Sequence, residues 1–125
     1  MFEGRISAAL KPVVPVLIMS REGQYQPVEV VLDTGFNGDL ALPPATIRRL
    51  GLTRGTVFKA TLANGQEVYL NGYEATALWH DQPLSVTALE SGNEALLGMN
   101  LLVGSRVTLD VEVDGAVVIE ETGHN

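Results

Sequence analysis

Apolar residues along the chain fall into short runs rich in Val, Leu, Ile and Thr, separated by polar dipeptides that tolerate positive φ. Those dipeptides are Asn37-Gly38, Asn64-Gly65, Asn71-Gly72 and Asp114-Gly115. The pattern predicts strands over Val14–Met19 and Val28–Leu32 around a turn at Gly23. It predicts a hairpin of Val57–Ala63 and Gln66–Leu70 about Asn64-Gly65, continuing toward Tyr73–Trp79. Leu84–Leu89, Arg106–Val113 and Ala116–Glu120 complete the set of strands. Two short helices interrupt it. Pro43-Pro44 pre-sets a first helical turn, Ile47 and Leu50 share a face with Arg48 and Arg49 outward, and Gly51 can end the helix. Gly98–Val103 is a second, barely a turn and a half. The expected class is all-β, a small barrel or sandwich with one or two short helices.

The chain has 125 residues, 46% hydrophobic and 18% charged, which is the size of one domain spanning 1–125. A chain this long buries roughly two-thirds of the surface its unfolded form exposes, so it needs no staple to hold a core. It contains no Cys, which excludes cysteine nucleophiles, zinc ribbons and redox CxxC motifs and fits a reducing compartment. A net charge of -7 repels phosphate backbones, so nucleic acid is not an expected partner. The longest early apolar run, Pro12–Met19, is far short of the ~20 residues that span a bilayer. Glu3 precedes Arg5 and Lys11, and Ser20-Arg21-Glu22 is a poor cleavage context, so a signal peptide is not expected either. The expected location is cytoplasmic, with no membrane partner.

One position stands out chemically. Val28-Glu29-Val30-Val31-Leu32-Asp33-Thr34-Gly35 places an acid at the end of an apolar strand, before a hydroxyl residue and a glycine. An Asp there can be a turn former that bonds its own backbone, or a carboxylate presented for chemistry. Other constellations are poorer. His80 and His124 have no second ligand at metal spacing, so neither a metal nor any other cofactor is expected. Asp110, Glu112 and Asp114 alternate with Val111 and Val113, which reads as the solvated face of a strand; a divalent-cation site is the alternative. Trp79, Tyr69 and Tyr73 read as core or cleft-wall residues.

Val31-Leu32-Asp33-Thr34-Gly35 resembles the active-site motif of retropepsin-like aspartic proteases, and Ala95-Leu96-Leu97-Gly98-Met99-Asn100-Leu101-Leu102 resembles that family's second signature. Asp33 and Gly98 are 65 positions apart, a separation similar to that of the retroviral enzymes, with a hairpin between them in the place of the flap. The longer run from Asp33 to Pro43, with Leu50-Gly51-Leu52 and Leu62-Ala63-Asn64-Gly65, looks like the prokaryotic branch of clan AA. The resemblance spans roughly Gly4 to Glu120.

It implies an acid-protease barrel with one lobe per chain and catalysis by Asp33, Thr34 and Gly35. Thr34 would lock the two active-site loops across the dyad. Gly35 would let backbone and substrate approach closely. Phe36, Asn37 and Gly38 would line the substrate cleft, Asn64 and Gly65 would form the flap tip, and Leu97 and Gly98 would support the catalytic loop. Such enzymes hydrolyse peptide bonds with two carboxylates sharing one proton, because like charges at close range resist ionising together. This chain carries a single Asp-Thr-Gly, so the second carboxylate must come from another copy, and a twofold homodimer acting on a peptide or protein substrate follows. The chain departs from the retroviral pattern at Phe36, Asn37 and Gly38 and lacks a glycine-dense flap tip, so substrate preference does not carry over. Two other readings stand beside this one: a catalytically inactive member of the fold serving as a dimerisation or peptide-binding module, and an unrelated small β-barrel interaction domain in which Asp33 is only a turn residue.

Overall fold

The computed structural model describes residues 2–123. Ten strands and two helices follow in the order β1 (Phe2–Ile6), β2 (Pro12–Met19), β3 (Tyr25–Leu32), β4 (Leu40–Leu42), α1 (Pro44–Leu50), β5 (Thr53–Thr61), β6 (Glu67–Trp79), β7 (Gln82–Glu90), β8 (Leu96–Leu97), α2 (Met99–Leu102), β9 (Ser105–Leu109) and β10 (Ala116–Glu121). All ten strands belong to one sheet ordered β5-β6-β7-β4-β8-β3-β2-β1-β10-β9, and a further pairing of β2 with β6 folds the sheet back on itself. The chain is all-β, as the runs of branched residues predict.

Alternation decides which side chains go inside. On β2, Val14, Val16 and Ile18 are fully buried while Pro15 and Leu17 face outward, and β3 buries Val28 and Val30 in the same way. These pack with Leu40, Leu42, Leu50, Leu97, Val117 and Ile119 in a single apolar cluster. Trp79 joins that core and stacks on Phe2 with ring centroids 4.6 Å apart. Tyr73 packs at its margin, but Tyr69 is 71% exposed on the β5–β6 hairpin and belongs to no core.

Helix α1 forms where Pro44 opens it and Gly51 closes it in the left-handed conformation (φ 68°), with Arg48 and Arg49 in the last turn, where the helix dipole favours positive charge. It buries Ile47 and Leu50. No helix among the described residues is long and apolar enough to cross a membrane.

Several elements differ from the sequence reading. Strand β1 was not expected, because its Glu3 and Arg5 break any apolar run; only its alternation betrays it. β4 and β8, three and two residues long, are too short to carry a period. Asn71-Gly72 is not a turn. β6 runs straight through it, and Gly72 leaves room for the Phe58 ring, which would lie 2.4 Å from an added Cβ. Asp110, Glu112 and Asp114 do not share a strand face. β9 stops at Leu109, and residues 110–115 form a tight turn in which Glu112 N–H donates to Asp110 O, Gly115 N–H to Glu112 O, and Asp114 adopts φ 65°. Val111 and Val113 imitate an alternating strand in sequence, but both are exposed.

Candidate active site

Asp33 follows directly on β3, where the sheet is most tightly organised. Strand β8 is parallel to β3, with Val31 opposite Leu96 and Leu32 opposite Leu97, and antiparallel to β4, with Leu40 opposite Leu97. Residues 33–39 therefore form a loop that leaves β8 on one side and returns on the other. Leu97 is fully buried beneath it, and Leu97 O accepts the Asp33 N–H at 2.9 Å. The backbone of Asp33 is thus an extension of the sheet, which fixes where its side chain starts.

Helix α2 clamps the same loop. The first amides of a helix have no partner within it, and here Met99 N–H donates to Phe36 O at 2.8 Å and Asn100 N–H to Gly38 O at 3.2 Å. Gly98 N–H adds a bond to Asp39 O at 2.9 Å. The approach is close enough to demand glycine at position 98: an added Cβ would stand 2.2 Å from Gly38 O and 2.8 Å from Phe36 O, both backbone atoms. Gly98→Ala is expected to destabilise the fold by about 2–3 kcal/mol, as overpacking against backbone does, and denaturant unfolding would read this as a lower midpoint at unchanged slope. An unchanged midpoint would show that the loop moves aside freely.

Asp33 as a residue is half-buried. Its Oδ1 accepts the Gly35 N–H at 2.9 Å, and Phe36 N–H donates to Asp33 O at 3.1 Å. This is the backbone bonding foreseen for a turn-forming Asp, and it also fixes the rotation of the carboxylate. Thr34, Gly35 and Asn37 are exposed. Phe36 does not extend freely into the cleft; its ring lies over Gly38 and Gly98, within 3 Å of where a Cβ on either would stand. Beside Asp33 runs a groove of about 700 Å3 lined by Leu32, Thr34, Met99, Leu102, Val107 and Leu109, among others. Asp33 is the only acid among its lining residues.

A second carboxylate lies six residues on, and the sequence reading gave it no role. Asp39 Oδ2 accepts the Thr87 N–H of β7 at 3.0 Å, and its Oδ1 accepts the Asn100 side-chain amide at 2.7 Å. One side chain thus ties the far end of the loop to β7 and to α2. Its partners are 48 and 61 residues distant in sequence, so no local signal marks it.

Asn64 and Gly65 sit at the tip of the β5–β6 hairpin. Five residues, 62–66, connect the strands: Leu62 N–H donates to Gln66 O and Gly65 N–H to Leu62 O, Gly65 takes φ 85°, and Asn64 Oδ1 accepts the Gln66 N–H. Nearly every residue of β5 is exposed, and the hairpin is laced by exposed side chains, Lys59 with Glu67 and Arg54 with Asn71. Partway along it, Phe58 lines a cavity of about 220 Å3 together with Gly38, Asp39, Leu89 and Asn100, so the hairpin reaches the same loop that carries Asp33.

His80 is engaged elsewhere, its Nε2 2.8 Å from Ser105 Oγ. His124 lies outside the described residues. Among the described residues no three His, Cys, Asp or Glu side chains group closely enough to hold a metal ion.

Two solved structures are similar to this arrangement. EIAV protease, in complex with the inhibitor HBY-793, superposes with a TM-score of 0.57 at 24% identity, covering 79% of this chain and 93% of its own. A retropepsin-like aspartic protease from Rickettsia conorii gives the same TM-score at 12% identity, covering 92% of this chain and 87% of its own. The chain has a retropepsin-like fold. No family model matches it, and no curated protein sequence does. The likeness therefore lies in how the chain is folded.

Proposed function

We propose that this chain, with residues 1–125 as one catalytic domain, is an aspartic endopeptidase that works as a homodimer. The observation that carries the reading is Asp33 itself. It is a half-buried residue whose carboxylate is oriented by its own loop, in a groove whose other lining residues are apolar or neutral. Hydrolysis needs a base and an acid together. A second copy related by a twofold axis beside Asp33 would supply the missing partner, and two carboxylates so placed share one proton.

In that arrangement the ionised carboxylate takes a proton from water as the water's oxygen bonds to the peptide carbonyl carbon. The protonated one gives its proton to the carbonyl oxygen, leaving a gem-diol. Collapse of the gem-diol breaks the C–N bond as a proton passes to the departing nitrogen. Thr34, exposed beside the axis, is placed to hold the paired loops together, and Gly35 leaves space for substrate backbone. Phe36 acts by packing on Gly38 and Gly98, which leaves exposed Asn37 as the member of that trio free to meet substrate. Leu97 and Gly98 position Asp33 from behind. A chain without cysteine suits the cytoplasm, the compartment this reading carries.

The test is digestion of a mixed peptide library followed by mass spectrometry, with and without a statine-type inhibitor whose hydroxyl imitates the tetrahedral intermediate. Cleavage that the inhibitor suppresses supports the proposal. Tight inhibitor binding without cleavage points to an inactive peptide-binding module, and neither binding nor cleavage removes the protease reading.

The β5–β6 hairpin is the flap of this enzyme. Its exposed strands bury little apolar surface, which places it at the low-stability end of the molecule. Amide exchange over residues 53–70 is expected to slow when the inhibitor fills the cleft. Equal exchange with and without inhibitor would show that the hairpin does not close.

A further inference from the structure

Strand β6 changes neighbours along its length. On the side away from β7 it pairs with β5 as far as Glu74, opposite Thr53, and with β2 only from Ala77, opposite Ile18. Ala75 and Thr76 have no strand beside them there. The β2–β6 register, Leu17 with Leu78 and Ile18 with Ala77, would continue as Met19 with Thr76, Ser20 with Ala75 and Arg21 with Glu74. It stops because the chain turns away after Met19. Ser20 N–H donates to Gln24 O, Gly23 N–H to Ser20 O, and Arg21 N–H to Leu50 O at the end of α1. The two strands splay, and a cavity of about 330 Å3 occupies the wedge between them, lined by all six residues of the interrupted ladder.

This wedge differs from the groove at Asp33 in place and in chemistry. It lies beside Met19, which pairs with Tyr25 at the start of β3, whereas Asp33 follows the end of that strand, roughly 25 Å away at ~3.3 Å per residue. The Asp33 groove is mostly apolar, while the wedge presents the hydroxyls of Ser20, Thr53, Thr76 and Ser85. Ser20 is only 5% exposed. Its Oγ takes one long bond, 3.4 Å, from the Gln24 N–H, and its own proton has no acceptor among the described residues. Opposite charges, Arg21 and Glu74, stand on the two sides of the wedge. They would meet if the ladder continued, yet the ion pairs among the described residues are Lys11 with Glu94 and Lys59 with Glu67. The Arg21 stem lies over Gly51, where an added Cβ would stand 2.9 Å from Arg21 Cβ. The guanidinium is thus carried on the α1 side and the Glu74 carboxylate on the hairpin side.

We infer that this wedge binds a short zwitterionic peptide of about dipeptide size, its carboxylate on Arg21 and its ammonium on Glu74. A cation and an anion held apart across a small polar cavity match a ligand that carries both charges. A lone anion would be set beside Glu74, and a lone cation beside Arg21, so each is disfavoured by the other half of the site. The volume is at the small end of the range for ligand pockets, roughly 300–1,000 Å3, which keeps the ligand short. The peptide unit between the two charges supplies an N–H and a C=O to the vacant strand edge at Ala75 and Thr76, and the Ser20 hydroxyl has a proton to donate. The site stands without the protease reading, although short peptides with free ends are what a peptidase releases. Thr53 and Glu74 form the root of the β5–β6 hairpin, so a bound peptide ties that root to β2 and α1.

The probe is alanyl-alanine, titrated into the full chain carrying Asp33→Asn and followed by backbone amide NMR, so that no activity is needed. Saturable shifts are expected at Ser20, Arg21, Ala75 and Thr76 and not over residues 33–39. Acetyl-alanyl-alanine lacks the ammonium and alanyl-alanine amide lacks the carboxylate, and each should bind about fivefold or more weakly than the free dipeptide. Arg21→Gln should stop discriminating against the amide while still rejecting the acetylated form, and Glu74→Gln should do the reverse. Both side chains belong to exposed residues, so the fold should survive, checked by circular dichroism. No saturable shift up to about 10 mM dipeptide overturns the site, as do shifts confined to residues 33–39. A capped form that binds as well as the free dipeptide overturns the zwitterion, and discrimination left intact in either variant overturns the assignment of its charge. Binding as expected in a chain whose Asp33 parent cleaves no peptide upholds the wedge and removes the protease. Cleavage by a parent whose wedge binds nothing does the opposite.

Discussion

Asp33→Asn is expected to lower peptide hydrolysis by roughly 10^3-fold or more while leaving the fold in place, the range that general acid–base groups contribute. The structural half of this expectation follows from the bonds Asp33 makes. Its N–H is held by Leu97 O, which any residue at 33 would keep. Its Oδ1 accepts the Gly35 N–H, and an asparagine side-chain oxygen accepts the same bond. Stability should change by less than about 1 kcal/mol, as at sites where no buried partner is stranded. The chemical half follows from what an amide lacks. It cannot take a proton from water, and in a homodimer one substitution removes both carboxylates. The measurement is library digestion of parent and variant in parallel, with thermal melts and sedimentation on the same samples. If Asp33 were only a turn former, the variant would match the parent in every assay, because both side chains make the same backbone contact. Cleavage that persists unchanged in the variant would place the activity elsewhere and end the assignment of Asp33.

The residues that carry the candidate chemistry were legible in the chain because each is unusual for its local setting. An acid that ends a run of valines, followed by Thr34 and Gly35, stands out, and so does Gly98 after Leu96 and Leu97. Helix α1 was legible for a similar reason, since Pro44 and Gly51 act through backbone geometry that is nearly independent of the rest of the fold. What escaped is whatever depends on partners distant in sequence. β4 and β8 are strands only because β3 and β7 flank them. Asn71-Gly72 has the composition of a turn, but the Phe58 ring needs the space above Gly72, and that packing overrides the local preference. The reverse error occurred at 110–115. There Val111 and Val113 alternate with acids as a strand would, yet Asp110, Glu112 and Gly115 close a turn through their backbones.

Asp39 is the residue whose role was least visible, and it gives a prediction that sets the two carboxylates of the loop apart. Asp39→Ala removes an acceptor shared by the Thr87 N–H and the Asn100 amide. The Thr87 site is partly buried, so its N–H would be left without a partner, and the expected loss is about 2–3 kcal/mol. For a chain of this length that corresponds to a fall in melting temperature of about 10 °C. Activity should fall with it, because the far end of the Asp33 loop is then tied down only by backbone bonds from Gly98, Met99 and Asn100. Asp39→Asn should behave differently. Its oxygen can keep the Thr87 bond, and rotation of the Asn100 amide by half a turn presents an oxygen to the new NH2 group, so both contacts survive without the charge. The same Asp-to-Asn change would thus be tolerated at 39 and abolish hydrolysis at 33, because one carboxylate is needed for its hydrogen bonds and the other for its proton. Paired melts and digestion assays on Asp33→Asn, Asp39→Asn and Asp39→Ala check this. Loss of hydrolysis in Asp39→Asn with an unchanged melting temperature would show that Asp39 takes part in the chemistry and is not a latch.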